Sequence, residues 1–74
     1  MEWIKVSEKL PEAGLLVMVT IEWEIGNGEV YRFVDTCEYE SVHGFSYYDD
    51  TYEEIMTVEG VIAWMPLPEP YDGD

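Results

Sequence analysis

Two runs of alternating residues, 15–23 and 29–39, meet at Gly26-Asn27-Gly28, and this arrangement limits the fold more tightly than any other in the chain. In the first run Val17, Val19, Ile21 and Trp23 fall on one face, with Leu16, Met18, Thr20 and Glu22 on the other. A period of two is the signature of a strand with one face inside. The uniformly large and apolar set is the one expected to face inward. The second run places Tyr31, Phe33, Asp35, Cys37 and Tyr39 opposite Val30, Arg32, Val34, Thr36 and Glu38. Glycine and asparagine tolerate positive φ, so the intervening triplet predicts a tight turn and the two runs an antiparallel hairpin.

Around this hairpin the chain offers shorter pieces. Trp3-Ile4-Lys5-Val6 predicts an extended arm that inserts Trp3 into the core. Ser7-Glu8-Lys9-Leu10 allows one helical turn, which Pro11 ends, and Pro11-Glu12-Ala13-Gly14 reads as a turn. Residues 42–48 predict a third strand, weakened by Gly44, that pairs back onto the second. Thr51-Tyr52-Glu53-Glu54 has capping-box spacing and predicts a short helix up to Met56. Residues 61–65 predict a last strand. The prolines at 66, 68 and 70 lack amide donors and predict an extended strap that fixes one sheet edge. The expected fold is therefore mainly β: a small antiparallel sheet of three or four strands, curled toward a barrel, with at most one short helix. Trp3, Val17, Val19, Ile21 and Trp64 are the expected core. The 74 residues form one expected domain, 1–74, and a chain this short depends on its aromatic residues for a sufficient core.

The two ends of the chain carry a resemblance. Trp3-Ile4-Lys5-Val6, then Leu10-Pro11-Glu12-Ala13-Gly14, then a strand with Val17 and Val19, resembles the opening W-I-x-V-x-x-x-L-P-x-x-G of a family of short phage and prophage proteins known as domain of unknown function 551. The closing Trp64-Met65-Pro66-Leu67-Pro68-Glu69-Pro70 resembles that family's W-M-P-L-P-E-P string. Ala63 stands where the family often has histidine, and Tyr71 where a second proline is common, so no role of that histidine carries over. The resemblance covers the ends and not residues 22–60. It implies a phage or prophage origin and a compact β fold, and it implies no reaction.

The charge bears most directly on function. Seventeen Asp and Glu face three Lys and Arg, a formal net charge of −14. Such a surface repels nucleic acid and anionic membranes and attracts basic surfaces, the largest of which belong to proteins that bind nucleic acid. The partner expected is a basic host protein of that kind, with no direct nucleic acid and no membrane, and a homodimer is allowed. Candidate contact residues are those where acids interleave with aromatics: Glu22, Glu24 and Glu29 around the first turn, Asp35, Glu38 and Glu40 along the second strand, and Tyr47, Tyr48, Asp49, Asp50, Tyr52, Glu53 and Glu54 in the densest stretch. Tyrosine supplies rigid contact area, and carboxylates meet Arg and Lys. The bland alternative is a small phage accessory or structural protein whose charge serves solubility.

Catalysis finds little support. His43 and Cys37 are each the single residue of their kind, and a nucleophile needs both a base and a group that orients the base. No catalytic residue, metal or cofactor is expected. The pairs Asp49-Asp50 and Asp72-x-Asp74 lack the spacing of a calcium loop, which weakens the rival reading of a carboxylate–metal hydrolase. The lone cysteine excludes an internal disulfide and fits a reducing compartment. With no basic stretch leading into an apolar run at the N-terminus, and no apolar run near ~20 residues, the expected location is the host cytoplasm.

Overall fold

The computed structural model describes residues 2–73. Six strands form one open antiparallel sheet: β1 (Ile4–Lys5), β2 (Leu16–Gly26), β3 (Glu29–Glu40), β4 (Gly44–Asp49), β5 (Glu54–Thr57) and β6 (Val61–Pro66), in the spatial order β1-β6-β2-β3-β4-β5. The class is as expected. The strand count is higher because the edge strands, β1 with two residues and β5 with four, are too short to show a period.

The β2–β3 hairpin is the frame. Its register runs from Leu16 opposite Glu38 to Gly26 opposite Glu29, with a bulge between Glu24 and Gly26. Asn27 and Gly28 have φ of 54° and 77°, the paired positive values of a two-residue turn whose twist suits a hairpin. On the inner face Val17, Val19 and Ile21 of β2, Cys37 of β3 and Trp64 of β6 form the buried cluster, with Ile4, Val6, Phe33, Phe45, Val58 and Val61 against it. The Trp64 indole N–H donates to the Lys9 carbonyl at 2.8 Å. That bond ties the core to a single turn in which the Glu8 and Lys9 amides both donate to the Lys5 carbonyl.

The connection from β5 to β6 sets the curvature. The Val58 amide donates to the Phe45 carbonyl at 2.8 Å, and the Gly60 carbonyl accepts from the Glu22 amide at 2.9 Å. Phe45 sits opposite Tyr39 of β3, and Glu22 opposite Arg32. On a straight strand Arg32 and Tyr39 are roughly 23 Å apart, at ~3.3 Å per residue. Residues 58–60 reach about 7 Å, and a hydrogen-bonded step of ~5 Å at each end still leaves a shortfall. The sheet must therefore coil over its inner face, and Val58 fills the hollow.

Three expectations fail. Trp3 is 41% exposed, against 5% for Trp64. Ile4 lies opposite Trp64 and takes the inward position, so its neighbour Trp3 points to the outer face. Residues 51–56 are not helical: 51–53 turn, and Glu54 begins β5. The Asp49 side chain accepts the Thr51 amide at 2.8 Å, and Glu53 has φ of 52°, outside the helical region. This closes a β4–β5 hairpin in which Tyr48 faces Ile55 and Tyr47 faces Met56. Lastly, β6 runs into Pro66, opposite Val17, and its outer edge pairs with β1 and not with the proline run.

Trp64→Ala should cost ~3–5 kcal/mol by urea unfolding, as for a packed core aromatic, and Trp3→Ala markedly less. Equal losses would contradict the assigned faces. Gly60 has φ of 86°, and a Cβ there would lie 2.8 Å from the Glu22 carbonyl oxygen. Gly14 has φ of 93° with open space around it. Gly60→Ala should therefore destabilise more than Gly14→Ala, whose strain alone is worth about 1–3 kcal/mol; a melting series with the reverse order would refute the tight crossing of residues 58–60.

Candidate functional site

Beyond Ile21 the β2–β3 hairpin leaves the body of the sheet. β6 pairs with β2 only from Val17 to Ile21, and β4 pairs with β3 only from Glu38 to Glu40. From Trp23 through Arg32 every residue is exposed. The face assigned inward from sequence is therefore inward only as far as Ile21. Trp23 is 54% exposed and packs edge-on against Phe33, with centroids 5.0 Å apart, and Tyr31 extends the ring cluster at 5.6 Å. Ile25, Val30 and Val34 are exposed as well. A two-stranded ribbon has little stability of its own, and these ring contacts are what the arm has in place of a core.

The candidate contact residues fall into three places. Glu22, Glu24 and Glu29 lie on the arm, where the Arg32 guanidinium bonds Glu22 at 2.7 Å. Asp49, Asp50, Tyr52, Glu53 and Glu54 form the tip of the β4–β5 hairpin, with Tyr47 and Tyr48 leading into it. Because β4 runs antiparallel to β3, this tip and the arm point toward the same end of the sheet. Glu38 and Glu40 lie at the opposite end, where Glu40 meets His43 Nδ1. Strand alternation also separates the set: Asp35 shares the inner face with Cys37, and Glu22, Glu24, Glu38 and Glu40 take the outer one. The acids do not make one continuous face.

Two hollows accompany them. β3 and β4 splay apart beyond Cys37, and the fork holds a cleft of about 590 Å³ lined by Trp23, Phe33, Tyr47 and Val58 with Asp35 and Glu59; no Lys or Arg lines it. Sequence reasoning missed Glu59, because only the β5–β6 connection, residues 58–60, brings it to the cleft. On the outer face a groove of about 570 Å³ lies between Trp3, Thr20 and Ala63 and holds Lys5 and Arg32, two of the three basic residues of the chain.

Among the described residues no group of three or more His, Cys, Asp and Glu is placed to hold a metal ion. Asp74, half of the Asp72-x-Asp74 pair, lies outside the described residues. No helix among the described residues is long and apolar enough to cross a membrane. Cys37 is buried at the base of the cleft. Burial, and next the Asp35 charge, push its thiol above the ordinary cysteine range, while a hydrogen bond from the Ser46 backbone pulls it down.

The fold and this surface define a small acidic antiparallel β protein with a projecting aromatic arm. The family model described as "Protein of unknown function (DUF551)" matches residues 2–71, and the chain belongs to that family. It is 34% identical over 70 residues, 95% of this chain and 96% of the relative, to the "Uncharacterized 7.8 kDa protein in ral-gp17 intergenic region" of Salmonella phage P22. No solved structure matches the chain.

Since only the thiolate reacts, a thiol reagent at neutral pH should label Cys37 slowly in the native protein and rapidly in urea; rapid native labelling would contradict the burial. The folded thiol has the raised pKa, so the unfolded chain ionises first. Stability should accordingly fall as pH rises through ~8.5, the unfolded value, and Cys37→Ala should remove that part of the fall.

Proposed function

We propose that this chain is a phage-encoded inhibitor of host defence, of the anti-CRISPR or anti-restriction type, acting in the host cytoplasm. It binds and does not catalyse, and its acids occupy a basic, nucleic-acid-binding surface of a host protein. The observation that carries this reading is the state of the carboxylates. Every described Asp and Glu is exposed or half-exposed, and among the described residues the one carboxylate paired with a Lys or Arg is Glu22, held by Arg32. Self-repulsion at this charge density works against the compact state, and a cationic partner relieves it. Exposed rings at both tips, Trp23 and Tyr31 on the arm and Tyr48 and Tyr52 on the β4–β5 hairpin, offer contact area beside the charge. Membership in a family that includes a phage protein supports a target inside an infected host. The spread of acids over both faces of the sheet favours the solubility reading instead, and the two readings differ in what they predict.

With the partner in hand, affinity should fall as salt rises, because exposed charges are screened over ~8 Å at physiological ionic strength. Charge reversal at Asp49, Asp50, Glu53 and Glu54 should slow association more than it speeds dissociation, since steering acts on encounter. Reversal at Glu8 and Glu12 should matter less. The decisive measurement is competition with the partner's own nucleic acid: simultaneous binding with salt-insensitive affinity excludes mimicry.

A further inference from the structure

We propose that the open edge of β3, from Glu29 to Cys37, is a strand-addition site for an extended, Arg- or Lys-rich segment of a partner protein. The proposal deepens the protein-binding reading above and rests on it.

The backbone directions follow from Tyr39. Its amide donates to the Leu15 carbonyl at 2.9 Å and its carbonyl accepts from the Gly14 amide at 2.7 Å, so its peptide groups face β2. Peptide direction alternates along a strand, which turns Val30, Arg32, Val34 and Thr36 the other way. On that side β4 begins only at Glu38. The Thr36 amide is taken by the Asp35 carboxylate at 2.8 Å. The amides of Val30, Arg32 and Val34 and the carbonyls of all four residues lie along an edge with no strand beside it.

This is the longest open stretch of strand among the described residues. Proteins usually blunt such edges with shortness, proline, lysine or a bulge. β1 and β5 are short. The open part of β3 has neither proline nor lysine, and the bulge of the hairpin lies in β2. Side chains that an added strand would meet include apolar ones on both faces, Val30 and Val34 outside and Tyr31 and Phe33 inside, interleaved with Arg32 and Thr36 on the one and Asp35 on the other. Such an edge captures an extended peptide by main-chain hydrogen bonds and reads alternate side chains in flanking pockets.

Charge selects the occupant. Glu24, Glu29, Asp35 and Glu38 border the edge, and its one cation, Arg32, is already held by Glu22. A second copy of this chain would bring −14 against −14, whereas a basic segment is attracted. At the base of the edge the cleft sets the rings of Trp23, Phe33 and Tyr47 beside Asp35 and Glu59. That combination suits an arginine or lysine, with the stem against the rings and the charge at the carboxylates.

The test uses the intact chain and a short amidated peptide alternating arginine and valine, compared with its N-methylated counterpart, which keeps every charge and loses the amide donors. Saturable binding is expected, with amide shift changes centred on residues 29–37 and about tenfold or more weaker binding of the N-methylated peptide. Val34→Pro removes one edge-facing donor at a position where proline is tolerated; it should weaken the peptide by a similar factor while the melting temperature is kept. The N-methyl comparison needs no variant, so it decides the matter even if Val34→Pro fails to fold. Equal binding of both peptides, no binding, or unchanged binding by a folded Val34→Pro protein overturns the proposal. A concentration-dependent dimer that Val34→Pro dissolves also overturns it, by placing a second copy on the edge. If the peptide fails while the natural partner still competes with nucleic acid, the strand-addition site falls and the protein-binding reading stands.

Discussion

The three residues from Val58 to Gly60 hold β4 to β2 across the inner face of the sheet, and the rest of the structure depends on that short crossing. A flat six-stranded sheet of this length would leave Val17, Val19 and Ile21 open to water. Coiling it under a short strap brings Phe45, Val58 and Trp64 around those side chains and makes a closed cluster from one layer. Gly60 is the residue that permits it, because its backbone lies against the Glu22 carbonyl at a positive φ. A chain below about 80 residues has little area to bury, and the coil spends nearly all of it at one end of the hairpin.

That economy leaves the arm bare. With the apolar residues of β6, the strap and β4 gathered around residues 17–21 and 37, nothing remains to cover the β2–β3 ribbon beyond Ile21. Its rings pack on one another and its backbone edge stays open. Acidic residues accompany these exposed groups at the arm and at the β4–β5 tip. Core and exposed surface are thus divided along the length of one hairpin.

Strong periodicity was legible and weak periodicity was not. The β2–β3 hairpin, its turn and the inward set Val17, Val19 and Ile21 follow from alternation and positive-φ residues alone, and Trp64 was expected inside as a large aromatic of the closing motif. The segment 51–56 carries capping-box spacing, yet Asp49 satisfies the Thr51 amide and pairing with β4 claims residues 54–57, so a side-chain turn and hairpin pairing override the helical signal. Trp3 was misplaced because β1 has only two paired residues, too few to reveal which parity faces inward. Among the candidate contact residues, the clustering of residues 49–54 was legible because they are sequence neighbours; that they form a hairpin tip was not. The separation of Glu38 and Glu40 from that tip, and the placing of Glu59 and Asp35 in one cleft, were not, because they depend on how far each ladder extends.

By itself, the sequence determined the class of fold, the central hairpin and the electrostatic character of the surface, for each of these is local or additive: a period, a turn conformation, a sum of charges. Tertiary structure alone decided where β6 and β4 stop pairing, and therefore which half of the hairpin is core and which half is arm. Val19 and Trp23 occupy the same face of the same strand, yet one is fully buried and the other 54% exposed. The difference lies in the strands that arrive beside them from elsewhere in the chain, and burial is a property of those neighbours, which no alternation within β2 can encode.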